Sequence, residues 1–290
     1  MLLPVIWQAY KEIIPAAPAD SRDNWYINDH CFIKDINGQW HCFGINNPFP
    51  DKRRDLYRYH PFLLHASAPG PTGPWQRQDF ALRDDKKGNN YLGAPFVIRH
   101  NDSYYMFLET MFKGKRRIEI ARSKDLRHWQ RDKQEVISNQ APLRRDPCIV
   151  RNKQTGDWLI FLCVPDQPYS TITVCRTADF KAYSRPEVIL KLKDNCPWGS
   201  LESPFVVYKN NTWYLFFTNS MHHYRETVVI PSAKYNRFSW SDQITTLHAH
   251  AAEIINEQNQ WYISSCGPED KRRQNYHGVE LAALCWVESN

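Results

Sequence analysis

Three carboxylates, Asp29, Asp146 and Glu202, and one histidine, His250, recur at matching places along this chain. Asp29 stands eleven residues before Trp40, Glu202 eleven before Trp213, and His250 eleven before Trp261. Gly93 fills the same place before Tyr104. Asp146 precedes Trp158 by twelve, which predicts one extra turn residue near Thr155 and Gly156. Charged residues make up 23% of the chain, so five positions drawn at random would hold one. Carboxylates that share a pocket repel one another, and such clustering points to function rather than to stability. The chemistry that needs them is cleavage of a glycosidic bond. One carboxyl must be protonated near neutral pH to supply the leaving oxygen; a second must be ionised to activate water or attack the sugar. A third negative charge raises the pKa of the acid and orients the sugar.

Competing chemistries fit less well. His248 and His250 alternate along a strand, so only one faces inward. No other His-x-His or His-Glu-x-x-His spacing exists, and a catalytic zinc or iron site is not expected. A serine or cysteine nucleophile would need a Gly-x-Ser-x-Gly elbow, which the chain lacks. The net charge of +6 is dispersed, and the dense basic stretches at 51–58 and 113–117 read as solvated loops, not a nucleic-acid groove.

Further residues are candidates for holding a substrate. Arg145, beside Asp146, can bond sugar hydroxyls or pair with a carboxylate. Trp25 and Trp198 can stack on a sugar face. Asn28 and His30 flank Asp29 and are placed to reach neighbouring blades or the pocket rim, with Asn28 taken as a substrate contact. Glu109 and Glu253 lie within reach of the pocket, while His222, His223 and Arg225 read as a solvated loop near its entrance.

Positioning these groups requires a repeated element. Each copy runs as a carboxylate or its equivalent, an apolar strand, a polar turn and an aromatic strand, as in Leu-Glu-Ser-Pro-Phe-Val-Val-Tyr from Leu201 followed by Thr-Trp-Tyr-Leu-Phe-Phe from Thr212. A second register agrees: Arg-Ser-Lys-Asp-Leu from Arg122 is echoed by Arg-Thr-Ala-Asp-Phe from Arg176. Units of roughly 40–55 residues built from short strands signify propeller blades. The expected fold is all-β, a single five-bladed β-propeller over residues 25–290. Residues 1–24 form an extension that completes the last blade, crosses an entrance or exchanges with a second subunit, which would give a homo-oligomer. The first strand of each blade lines the central channel, so the repeated positions converge on one face.

The 290 residues, 42% hydrophobic and 14% aromatic, supply ample core. No apolar run is long enough to span a membrane as a helix. The eight cysteines form no Cys-x-x-Cys pair, and six fall in predicted strands, so buried free thiols are expected. Residues 1–7 lack the basic flank of a signal peptide, which makes the cytoplasm the expected location.

Over about residues 24–287 the five-fold pattern resembles the propeller glycoside hydrolases of families 43, 32, 68, 62 and 117. The resemblance implies Asp29 as the first-blade base or nucleophile, Asp146 as the third-blade aspartate that tunes the acid, and Glu202 as the fourth-blade general acid. It implies His250 as the histidine that polarises the channel floor and holds a water or a structural calcium ion; no other cofactor is implied. Two departures stand out: His30 follows Asp29 in place of proline, and Gly93-Ala94-Pro95 lacks the tryptophan of family 43. Asn28-Asp29 and Arg145-Asp146-Pro147 look more like family 32, although Ser203 replaces the cysteine expected after its acid. The implied activity is exo-acting release of a furanose or pentose from a small oligosaccharide, by an arabinofuranosidase- or xylosidase-like inverting reaction. The alternatives are a retaining β-fructofuranosidase-like enzyme and a non-catalytic sugar-binding propeller.

Overall fold

The repeated phrase folds five times into an antiparallel sheet, because its apolar residues alternate or run unbroken between turn-forming residues. The computed structural model describes residues 1–50, 59–84, 91–112, 115–132, 136–137, 144–197, 199–221, 224–268 and 276–288. The chain opens with β1 (Leu2–Ile6) and β2 (Lys11–Ile14). The first blade follows as β3 (Trp25–Lys34), β4 (Trp40–Pro48), β5 (Phe62–Ala68) and β6 (Gln76–Arg77), with β7 (Leu82–Arg83) also paired to β5. The second holds β8 (Leu92–His100), β9 (Ser103–Phe112), β10 (Lys115–Ser123) and β11 (Gln130–Arg131). The third holds β12 (Arg145–Arg151), β13 (Trp158–Asp166), β14 (Tyr169–Thr177) and β15 (Glu187–Lys193). The fourth holds β16 (Leu201–Lys209), β17 (Thr212–Asn219), β18 (Glu226–Ser232) and β19 (Thr245–His248). In the fifth, β20 (Ile254–Glu257), β21 (Gln260–Pro268) and β22 (Tyr276–Glu288) come from the end of the chain. The fold is an all-β, five-bladed propeller. Among the described residues the only helical turn is Trp240–Asp242.

Apolar cores lie between consecutive blades. Phe161 and Cys148 of the third pack with Leu215 and Phe217 of the fourth, for example. Tyr26 and Phe43 of the first pack with Met106 and Leu108 of the second. The ring is closed by the start of the chain: β1 pairs with β22 from Leu2 opposite Glu288 to Ile6 opposite Leu284, and β2 pairs with the earlier part of β22. Ile14 is fully buried beside Val279 and Ile27, which ties the fifth blade to the first.

Four of the innermost strands carry a bulge at the same place. The ladder skips between Asn28 and His30, between Gly93 and Phe96, between Arg145 and Cys148, and between Glu202 and Phe205. At each skip one residue has left-handed backbone: Asp29 (φ 26), Ala94 (φ 38), Asp146 (φ 54) and Ser203 (φ 50), with Ala251 (φ 48) in the fifth blade. The left-handed region, not a fixed count back from an aromatic, defines the equivalent positions. Lys34 faces Trp40 and Arg151 faces Trp158, whereas Arg99 faces Tyr104, Tyr208 faces Trp213 and Asn256 faces Trp261. The first turn is therefore one residue longer than those of blades two, four and five, and the third is two longer rather than one. Corrected for this, Asp29 and Asp146 stand level with Ala94, Ser203 and Ala251. Glu202, Gly93 and His250 stand one place earlier, level with Asn28 and Arg145.

Closure by β2 leaves no room at Gly278. A Cβ there would sit 1.8 Å from the Ile14 carbonyl oxygen and 2.9 Å from the Ala16 nitrogen. These are backbone atoms, which cannot swing aside. Gly278→Ala is expected to pull β2 off β22 and destabilise the fold by on the order of 1–3 kcal/mol. A thermal melt monitored by tryptophan fluorescence checks it; an unchanged midpoint would contradict the pairing.

Candidate active site

The bulges gather the carboxylates at one end of the channel. Ser203 is the joint between two of them: its Oγ donates to Asp29 Oδ1 at 2.7 Å and its backbone N–H to Asp146 Oδ2 at 2.9 Å. The neighbouring Glu202 accepts from Ser220 Oγ at 3.0 Å. Arg145 reaches across the third and fourth blades. Its Nη2 lies 3.6 Å from Glu202 Oε1 and donates to the carbonyls of Gly199 (3.0 Å) and Leu201 (3.2 Å), while Nη1 stands 3.8 Å from Asp146 Oδ2. The three carboxylates therefore converge, with one guanidinium between two of them.

On the other side of Asp146, Glu109 accepts its backbone N–H at 2.9 Å and pairs with Arg116 at 3.3 Å. The Arg116 guanidinium also covers the ring of Tyr91, 4.2 Å from its centroid. That ring fills the space left by the glycine at 93, where a Cβ would come within 2.5 Å of Tyr91 Cε1. Tyr91, stacked on His60 at 4.5 Å, thus occupies the place of the side chain missing from Gly93-Ala94-Pro95.

Burial and crowding set the charges. Burial first, and then the charge of Asp146, push the Asp29 carboxyl up to about 7, against the pull of the Ser203 hydrogen bond. Burial and Asp146 likewise push Glu109 up to about 8 despite Arg116. Burial disfavours the charge of Arg145, but Asp146 and Glu202 outweigh it and hold the guanidinium ionised. Along the axis, the five left-handed residues line a small cavity with His30, Phe96 and Glu253. Burial, with Asp29 adding to it, holds the Glu253 carboxyl well above the ordinary range, and burial lowers His30 to about 3. Both therefore face the cavity uncharged.

His250 acts on Asp29 through Asn28. Asn28 Nδ2 donates to Asp29 Oδ2 at 3.1 Å, which leaves Asn28 Oδ1 to accept from His250 Nε2 at 3.0 Å. That arrangement puts the proton of the ring on Nε2. Tyr224 covers the imidazole at 3.7 Å between centroids. Asn28 and His250 thus stand in one hydrogen-bonded row behind Asp29. Among the described residues, no three His, Cys, Asp or Glu side chains gather to hold a metal ion.

Trp25 also departs from expectation. Its ring stacks on Phe80 at 6.0 Å and its Nε1 donates to Ser21 Oγ at 2.7 Å, so it is packed against its own blade. Arg225 is not a solvated loop residue: it is buried, paired with Glu280 and bonded to Ser265 Oγ at 3.1 Å. Trp198, His222, His223 and residues 51–58 and 113–114 lie outside the described residues. Ser203 and Tyr91 belong to the site although the repeated carboxylates do not point to them. The signal for Ser203 was present, a small hydroxyl residue between the acid and the proline of the repeated phrase.

Comparison with known proteins places this geometry in context. The model of the glycosyl hydrolases family 32 N-terminal domain matches residues 21–263. No curated protein matches the sequence. The fold superposes on CoXyl43, a family 43 β-xylosidase/α-arabinofuranosidase from a compost microbial metagenome, with a TM-score of 0.71 at 12% identity, covering 99% of this chain and 96% of that one. It superposes on an endo-arabinase from Bacteroides thetaiotaomicron with a TM-score of 0.72 at 14% identity, covering 96% and 98%. The family 32 β-fructofuranosidase BmSUC1 of Bombyx mori gives 0.65 at 12%, covering 91% of this chain and 61% of that one.

The raised pKa of Asp29 makes stability depend on pH. Between its ordinary value of 3.8 and about 7, the folded protein holds a proton that the unfolded chain has lost. Stability therefore falls as pH rises through that window and levels off above it. Asp29→Asn removes this slope. The variant should melt above wild type at pH 8, by on the order of 1–3 kcal/mol, with the advantage shrinking toward pH 4. A difference that does not vary with pH would contradict the charge assignment.

Proposed function

This chain belongs to the family of the glycosyl hydrolases family 32 N-terminal domain, and from that premise we propose that it releases a terminal furanose or pentose from a small oligosaccharide. The observation that carries the proposal is the convergence of Asp29, Asp146 and Glu202 through Ser203 and Arg145. The chain is a glycoside hydrolase; its sugar and stereochemistry are the proposal. Glu202 protonates the leaving oxygen as the bond to the anomeric carbon breaks. Asp29 takes a proton from the water whose oxygen forms the new bond. Asp146, fixed by the Ser203 N–H, holds sugar hydroxyls beside the reacting centre. No cofactor enters this scheme. The likeness to CoXyl43 and the endo-arabinase supports arabinose or xylose as the sugar released. All eight cysteines are free, which supports action in a reducing cytoplasm on imported oligosaccharides.

A second reading has Asp29 attack the sugar directly, so that the configuration is retained. The family match favours it, together with the Asn28-Asp29 and Arg145-Asp146-Pro147 phrases. Proton NMR of the first sugar released separates the two: an inverted anomer supports activation of water, and a retained anomer supports attack by Asp29.

Hydrolysis of para-nitrophenyl furanosides and pyranosides, of sucrose-type sugars and of arabino-oligosaccharides tests the site itself. One sugar should be turned over, and Glu202→Gln and Asp29→Asn should each lower kcat by about 10²–10⁴. Turnover that survives both substitutions would sink the assignment.

The Ser203 hydroxyl makes a narrower prediction. Its hydrogen bond lowers the pKa of Asp29, and Asp29 must be ionised to act. Ser203→Ala should therefore move the acid limb of the kcat/KM profile to higher pH, leaving activity at pH 8 less affected than at pH 6. A profile that keeps its acid limb would contradict the contact.

A further inference from the structure

The aromatic that opens the second strand of each blade is buried four times out of five. Trp40, Tyr104, Trp158 and Trp213 are all covered by neighbours, whereas Trp261 is only half-buried. It stands in an open cleft of about 390 Å³ with two further indoles, Trp7 and Trp286, and with Lys209, Asn259 and Gln260. Trp7, from the segment after β1, is 54% exposed. Trp261 and Trp286 meet edge to face at 5.7 Å. Lys209 rests its ammonium 4.9 Å from the Trp261 ring and 5.9 Å from that of Trp286.

Strand direction places this cleft. β16 runs from Leu201, beside the acid, to Lys209, and the turn of Gln258 and Asn259 closes the same end of the fifth blade. Beyond the bulge, five residues of extended chain carry β16 from Pro204 to Lys209, a rise of about 17 Å. The cleft is therefore on the face opposite the carboxylates.

Its chemistry selects a class of ligand. Among the described residues no carboxylate lines the cleft, which favours a neutral ligand over a cation. One ammonium already seated on two indoles is too little for a polyphosphate or nucleic acid. Flat apolar rings beside hydrogen-bonding amides suit a molecule with apolar C–H faces and an edge of hydroxyls. The side-chain amide of Asn259 has no partner among the described residues, and it sits at the tip of a turn with φ 67. We propose that the far face of the fifth blade is a second, non-catalytic carbohydrate site that takes a neutral sugar unit of an oligosaccharide against Trp7 and Trp261. The choice of sugar as ligand rests on the glycosidase reading; the cleft and its lining do not. Such a site would hold a longer chain near the enzyme without joining in hydrolysis.

The test uses the full chain with Glu202→Gln, so that ligands survive. Xylotriose, arabinohexaose and kestose are titrated by calorimetry and by tryptophan fluorescence. Two sites are expected for at least one of these sugars, and Trp7→Ala or Asn259→Ala should weaken one of them tenfold or more, about 1.4 kcal/mol. Both positions are solvent-facing, and a melt confirms that either variant stays folded. In the active background, Trp7→Ala should leave turnover of a small chromogenic glycoside within about twofold of wild type, as for a surface change remote from the site. A single site, or a second one indifferent to both substitutions, would overturn the inference. So would a dimer that Trp7→Ala dissociates, because the cleft would then be covered by a second copy. Turnover without a Trp7-dependent site defeats only this inference; a Trp7-dependent site without turnover defeats the catalytic reading instead.

Discussion

Five residues of this chain, none of them glycine, hold left-handed backbone where each innermost strand meets the axis. For an L-residue that conformation is unfavourable by on the order of 1–2 kcal/mol. It persists because the ladders on both sides of each bulge are fixed by whole blades, and the blades are fixed by a closed ring. The bulge turns one side chain out of the pleat and toward the axis. In blades one and three that side chain is a carboxylate, and in blade four it is the serine that joins the two. The site is a consequence of ring closure: without β1 and β2 on β22, the fifth blade that carries His250 would not be locked against the first, which carries Asp29.

Electrostatics then divides the work. Two carboxylates bonded to one serine cannot both ionise freely, and the balance falls on the protonation of Asp29. Arg145 offsets charge on the side of Asp146 and Glu202, while Arg116 offsets it at Glu109. Among the described residues no such cation is bonded to Asp29, which is held instead by neutral donors, the amide of Asn28 and the hydroxyl of Ser203. The result is a site in which the charge on Asp29 costs stability above its raised pKa.

Much of this was legible in the sequence because the repeat is written in residue types: a carboxylate or its equivalent, an apolar run, a polar turn, an aromatic. Blade number, strand order and the three carboxylates follow from that pattern. What the pattern hid was turn length. Counting back from Trp40 and Trp158 passes through turns longer than the others, so Glu202 and His250 were read as level with Asp29 when they stand one place earlier. That single place matters, since it makes His250 a neighbour of Asn28. Tyr91 was hidden for another reason: it reaches the site from outside the repeated phrase, and only the folded ring shows that Gly93 leaves space for it. Glu109 was legible as a carboxylate near the pocket, but not its bond to the N–H of Asp146. Trp25 shows the converse, an aromatic well placed in sequence that packs on Phe80 because its own blade offers it a closer partner.

The central claim is that Glu202 and Asp29 face the two sides of one scissile bond. A crystal structure of the Glu202→Gln variant with an intact oligosaccharide tests it most directly. The account predicts the glycosidic oxygen within hydrogen-bond reach of residue 202, the anomeric carbon turned toward Asp29, and a sugar hydroxyl on Asp146. An oligosaccharide bound with its glycosidic oxygen away from residue 202, or seated outside this end of the channel, would contradict it.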